Sequence, residues 1–214
     1  MNIDDIFATP KTTVFDNYVP MITNKHTTTV YLTDVIEAPS LYNELCYKLD
    51  NASPAEEFFI YINTPGGILD AAIMLVSSIK NTAANTTARL SGTVASAGTI
   101  IALACRNVEI ADHTAFMIHN YSASGISGKA HELKAYQAFT ERSLEASFRE
   151  FYKGFLTQKE MKSVIDGQDM WFTADEVRER VIKLNEFRIA PLAEELVTTA
   201  KRGRKPKTLS SPQE

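Results

Sequence analysis

The stretch Phe58-Phe59-Ile60-Tyr61-Ile62-Asn63-Thr64-Pro65-Gly66-Gly67 decides the fold, because it passes from a buried β-strand through a glycine turn into a helix. Its first five residues are all aromatic or β-branched and carry no charge, the pattern of a strand covered on both faces. Beyond the glycines, Ile68, Ala72, Leu75, Val76 and Ile79 recur at the spacing of one helix face. The next segment repeats the scheme: residues 87–94 read as a strand, Ala95-Ser96-Ala97-Gly98 as a tight turn, and 99–105 as an apolar helix. Upstream, residues 29–33 read as a strand, and Pro39-Ser40 opens a helix marked by Leu41, Leu45 and Leu49. Downstream, 108–110 and 115–118 are short strands, the second of which delivers His119 at its end. Strands alternating with helices predict an α/β core with parallel pairing.

The chain has 214 residues, 44% hydrophobic and 22% charged, enough for one substantial core and ordinary for a globular domain. No run approaches about 18 consecutive uncharged apolar residues, and Met1-Asn2-Ile3-Asp4-Asp5 resembles no secretion signal, so a soluble, cytoplasmic protein with no membrane contact is expected. Cys46 and Cys105 lie far apart in apolar surroundings without metal-ligand spacing, which predicts buried thiols and no metal site. The net charge of −4 conceals a basic tail in which Lys201, Arg202, Arg204, Lys205 and Lys207 stand against −9 in the remainder. With Leu209-Ser210-Ser211-Pro212 after it, this tail is expected to be a solvated terminus, with weak, salt-dependent nucleic-acid contact as the alternative.

Residues 122–128 are small, and a long helical pattern follows with Leu133, Tyr136, Phe139, Leu144, Phe148, Phe151, Tyr152 and Phe155 on one face. That helix exceeds what so small a core can cover, which points to burial against another subunit. Thr157 with Glu160, and Thr173 with Glu176, have capping-box spacing, and Asp169 lies in the connection between the two helices they open. The expected organisation is an N-terminal segment 1–28, a main domain 29–190 that includes a protruding element at about 121–155, and a C-terminal extension 191–214.

Ser96 is the candidate nucleophile. At a helix N-terminus, unpaired N–H groups and the positive end of the dipole would stabilise an oxyanion formed beside it. The same small residues also suit a close helix crossing, and this segment alone does not separate the two. His119 in isolation fits a core histidine and Asp169 a loop acid, while His26, His113 and His131 read as surface residues.

Taken together, Asn63-Thr64-Pro65-Gly66-Gly67, Ala95-Ser96-Ala97, Met117-Ile118-His119 and Asp169 occur in the order and near the spacings of the ClpP family, the proteolytic subunits of ATP-dependent Clp proteases. The resemblance covers about residues 13–181 and includes Phe15-Asp16-Asn17-Tyr18. It implies a ClpP/crotonase-like fold of repeated β-β-α units with a handle helix. It also implies Ser96 as nucleophile, His119 as general base and then acid, and Asp169 as the carboxylate that orients the imidazole. A neutral imidazole, with an ordinary pKa of about 6.5, suits the abstraction of a serine proton near neutrality. The implied oxyanion donors are the N–H groups of Gly67 and Ala97. Extended substrate backbone is expected to add as a strand beside them, against Gly66, Ile68, Ser122, Ser124 and Gly125.

The family further implies two stacked heptameric rings, a AAA+ unfoldase that alone uses ATP, polypeptide substrates and no cofactor in this chain. The expected function is therefore a serine endopeptidase acting through an acyl-enzyme. The alternatives are a ClpP-like phage head-maturation protease cutting capsid and scaffold proteins, a crotonase-like acyl-CoA binder, and an inactive ring subunit. The sequence departs from the family at Asn120-Tyr121, where many members have Gln-Pro, and at Gln168, where well-studied members carry an arginine that couples the rings to the triad. Residues 1–11 match no axial loop of the family.

Overall fold

The computed structural model describes residues 19–122 and 127–202, the last twelve as helical backbone. Residues 1–18, Ser124, Gly125 and the basic tail from 203 onward lie outside the described residues.

Seven strands form one sheet: β1 (Met21–Asn24), β2 (Thr27–Leu32), β3 (Glu57–Thr64), β4 (Asn85–Ala95), β5 (Asn107–Ile110), β6 (Ala115–Ile118) and β7 (Met170–Phe172). The helices are α1 (Asn43–Asp50), α2 (Leu69–Asn81), α3 (Ala97–Ala104), α4 (Ala130–Phe151), α5 (Gln158–Ile165) and α6 (Ala174–Arg202), the last crossing position 190 without a break. This mixed α/β architecture is the one the alternation of strand and helix patterns predicts. The order across the sheet is β1-β2-β3-β4-β6-β7, with β5 beside the first half of β4. Pairing is parallel from β2 through β6 and antiparallel only at the two ends. Strand β1, unmarked in the sequence, joins β2 through Lys25 at φ 51°; three of its four residues are exposed, so it lacks a hydrophobic signature.

Strand β4 organises the middle of the molecule. Its first half pairs Thr87–Leu90 with β5, and its second half pairs Thr93, Val94 and Ala95 with β6. Between them the register against β3 shifts, so that Ile62 faces Leu90 but Thr64 faces Val94. Gly92 sits in that bulge at φ +64°, and the Asn63 side chain fills the recess by accepting the Thr93 N–H at 3.1 Å.

The core lies between the sheet and helices α2 and α3. Ile60, Ile62, Ala88 and Leu90 meet Ala72, Leu75, Ile79 and Ile101, all at most 1% exposed. Ile68 leaves the predicted helix face: its N–H donates to Ile36 O at 2.7 Å in a strand-like bridge, which turns its side chain outward, 44% exposed. Helix α4 buries none of its 22 residues; Tyr136 and Phe139 are exposed, and the predicted apolar face reaches the core only through Phe148, Phe151 and the post-helical Tyr152 and Phe155. Both capping boxes form, with the Thr157 and Thr173 N–H groups each donating to a glutamate at 2.8 Å.

Candidate active site

Parallel strands point their carboxyl ends to one edge, and residues that follow them gather there. Gly66 and Gly67 follow β3, Ser96 follows β4 and His119 follows β6. Strand β7 runs the opposite way, so the residue at the same edge is the one that precedes it, Asp169. Ser96 and His119 thus follow their strands while Asp169 precedes its own, because β7 is antiparallel to β6.

Ser96 is the residue before α3 and holds φ 52°, ψ −124°, a conformation that L residues rarely adopt. The strain lifts its side chain out of the strand-to-helix line and toward the imidazole. His119 Nε2 and Ser96 Oγ lie 2.7 Å apart, within range for the hydroxyl to donate to a neutral ring nitrogen. Both residues are half-buried, open on one side and supported on the other.

The last register pair of β6 and β7 is Ile118 with Met170, so His119 leaves β6 at the end where Asp169 enters β7. Asp169 itself is exposed, and among the hydrogen bonds of the described residues none joins its carboxylate to His119. The fold therefore brings Ser96 and His119 into contact and sets Asp169 beside them by backbone alone.

The glycine turn abuts the serine. A methyl group on Gly66 would lie 2.6 Å from Ser96 Cβ and 3.1 Å from Ala97 N, at a φ of +102°. Gly67, exposed, has an N–H without a hydrogen-bond acceptor among the described residues, and Ala97, first in α3, has none within its own helix. These two donors belong to the residues that follow Gly66 and Ser96 in the chain. Thr64 secures the turn from below, donating Oγ1–H to Asp34 O at 2.6 Å and accepting the Gly66 N–H at 3.1 Å. Gly98 is small for packing reasons, since a methyl there would collide with Thr64. The close-packing reading of the small-residue run thus applies to Gly98, while Ser96 points to the imidazole. Of the expected substrate contacts, Gly66 touches Ser96, Ile68 is exposed beside Gly67, and Ser122 is exposed beyond His119.

Asn120 stands out in the sequence only as a departure from the family, with no role attached. Its Nδ2 donates to Ile165 O at 2.9 Å and its Oδ1 accepts the Tyr121 N–H at 2.9 Å, tying the exit of β6 to the end of α5. A lone polar residue after a histidine carries no signal of such a tie. His26, His113 and His131 are exposed. Both cysteines are free and buried, and burial pushes the Cys105 thiol up to about 12.

A mostly parallel α/β sheet with a hydroxyl–imidazole pair at a helix N-terminus defines the architectural class. The Clp protease family profile matches residues 14–180, and the chain belongs to that family. It is 26% identical over 136 residues to ATP-dependent Clp protease proteolytic subunit 1 of Chlamydia caviae, covering 62% of this chain and 71% of that protein. The subunit of the same name from Chlamydia muridarum has the same identity and coverage. ATP-dependent Clp protease proteolytic subunit of Streptococcus suis is 36% identical over 76 residues, 34% of this chain and 38% of that protein. No helix among the described residues is long and apolar enough to cross a membrane.

Proposed function

We propose that this chain is a serine endopeptidase that cleaves peptide bonds through an acyl-enzyme on Ser96. The observation that carries the reading is the 2.7 Å contact of Ser96 Oγ with His119 Nε2, made by a serine at positive φ at the head of α3. His119 takes the hydroxyl proton as Ser96 attacks the scissile carbonyl, then returns it to the leaving amine. The Gly67 and Ala97 N–H groups hold the oxyanion of the tetrahedral intermediate. Asp169, which precedes β7 at the edge where His119 follows β6, orients the imidazole and stabilises its cationic form. None of these steps calls on a cofactor.

The assembly belongs to the same proposal. The exposed face of α4 supports burial against other copies, in heptameric rings stacked in pairs. The relatives' names, which include ATP dependence, support an AAA+ unfoldase that feeds polypeptides to a cytoplasmic barrel.

Purified protein and its Ser96→Ala form, assayed on a short fluorogenic peptide without an ATPase, test the reading. Turnover by the first and none by the second supports it. Absence of turnover, together with no labelling of Ser96 by a fluorophosphonate, would sink it.

A further inference from the structure

The strained Ser96 backbone persists only because neighbours fix it. Its N–H donates to Met117 O at 2.9 Å. Its C=O accepts twice from one residue: the Thr99 N–H at 2.9 Å and the Thr99 hydroxyl at 2.6 Å. A carbonyl can only accept, so the single hydroxyl proton of Thr99 is committed to Ser96 O. Thr99 Oγ1 also lies 2.5 Å from the Tyr152 hydroxyl, and the proton in that contact must come from Tyr152. The direction of the chain is therefore settled: Tyr152 O–H to Thr99 Oγ1, then Thr99 O–H to Ser96 C=O.

Thr99 is fully buried and Tyr152 is 2% exposed, so no water competes for these bonds. Burial also pushes the Tyr152 phenol well above its ordinary range, which keeps it a proton donor at working pH. The far end of the relay has a chemical consequence. Ser96 C=O and Ala97 N–H are the two ends of a single peptide group. Donors on the carbonyl oxygen draw electron density from that group and make its N–H more positive, and chained hydrogen bonds in a low dielectric reinforce one another. Thr99 N–H already gives the carbonyl a partner, so the hydroxyl pair is not needed to satisfy it.

We infer that Tyr152 and Thr99 are positioning residues: their buried two-hydroxyl relay orients and polarises the Ser96–Ala97 peptide and so strengthens Ala97 N–H as an oxyanion donor. The inference rests on the reading of Ala97 given under the proposed function. Tyr152 is the C-cap residue of α4, so the relay connects the root of the long protruding helix to the reacting centre.

The test compares Thr99→Val, Thr99→Ser, Tyr152→Phe and the Thr99→Val/Tyr152→Phe pair, each in full-length protein well below its Tm. The readouts are kcat and KM on the fluorogenic peptide and Ki for a peptide aldehyde, whose adduct oxygen occupies the donor pair. Thr99→Val should lower kcat about 10-fold with KM held and raise Ki by a similar factor, the worth of one hydrogen bond in the transition state. Tyr152→Phe, which keeps the ring, should cost about threefold through the weakened second bond. Thr99→Ser should restore both constants. The pair should be no worse than Thr99→Val, because the relay passes through Thr99. A fall in Tm with kcat and Ki unchanged would overturn the inference and leave the relay a structural cap. Should Thr99→Val not fold, Tyr152→Phe decides by the same two constants. Inactive parent protein with an unlabelled Ser96 would remove the oxyanion reading itself, and the inference with it.

Discussion

The turn that carries Ser96 and the turn that carries Asp169 lie at the same edge of the sheet, yet the molecule treats them differently. Around Ser96, Ala95, Ala97, Gly98 and Thr99 are all buried, and the backbone N–H and C=O of the serine make three hydrogen bonds. Around Asp169, residues 166–169 are all exposed, and the strand that follows has only three residues. A strained φ on a non-glycine residue costs on the order of 1–3 kcal/mol and survives only in surroundings that over-determine it. Asp169 carries no such strain; it enters β7 beside the end of β6 that His119 leaves. The lesson is that the fold concentrates its rigidity around Ser96 and leaves Asp169 to a light turn.

The strongest test of that contrast removes each side chain in turn. Ser96→Ala should lower peptide hydrolysis at least about 10⁴-fold while circular dichroism and gel filtration remain those of the parent. Loss of folding or assembly instead would return Ser96 to a packing role. Asp169→Asn should cost roughly 10³-fold in kcat with little change in Tm, because an exposed side chain is replaced by one of its own shape. An unchanged kcat would mean that Ser96 and His119 work as a pair.

A matched pair of glycines sharpens the comparison further. Gly66 beside Ser96 and Gly167 before Asp169 have nearly the same φ, +102° and +103°. An added methyl at Gly66 meets Ser96 Cβ at 2.6 Å, whereas at Gly167 it meets nothing within 4 Å. Thermal or denaturant unfolding should therefore show a loss of about 2–4 kcal/mol for Gly66→Ala and about 1–2 kcal/mol for Gly167→Ala, the left-handed strain being common to both. Equal losses would show that contact at the serine turn adds nothing.

The smallest effect concerns the brace behind the Asp169 turn. Glu160 at the start of α5 pairs with Arg180 of α6 at 2.5 Å, and Arg180 also donates to Phe155 O at 3.0 Å and covers the Phe172 ring at 4.5 Å. The Arg180 guanidinium, followed by the Thr157 backbone and side chain, holds the Glu160 carboxyl down at about 2, against 4.5 ordinarily. A depressed folded-state pKa gives stability that is complete above about 4.5 and is lost as the pH falls toward 2. Glu160→Gln should therefore lower stability by on the order of 1 kcal/mol at neutral pH, with a Tm gap that closes between pH 4.5 and 2. A gap that stays constant over that window would place the effect in packing.

Much of the molecule was legible in the sequence because its signals are local. Apolar residues marked β3, α2, β4 and α3, since the face each turns to the core recurs at the strand or helix period. The Thr157 and Thr173 capping boxes depend on residues three apart and formed as read. Strand β1 escaped because an exposed edge strand needs no pattern. Ile68 does not share the helix face its spacing predicts, because the bond of its N–H to Ile36 O joins residues distant in the chain. The tie made by Asn120 and the Thr99–Tyr152 contact were illegible for the same reason.

By itself, the sequence determined roughly which elements form, because hydrophobic period, glycine turns and capping spacings act over a few residues, and its resemblance to the Clp protease family singled out the candidate site residues. Only the tertiary structure decided that β4 ends where β6 ends and β7 begins, so that a hydroxyl, an imidazole and a carboxylate from three separate segments share one edge. It also decided the sign of φ at Ser96 and the two-hydroxyl relay behind it. Strand order, register and buried hydrogen bonds join residues far apart in the chain, and no local pattern encodes which distant partner a group will meet.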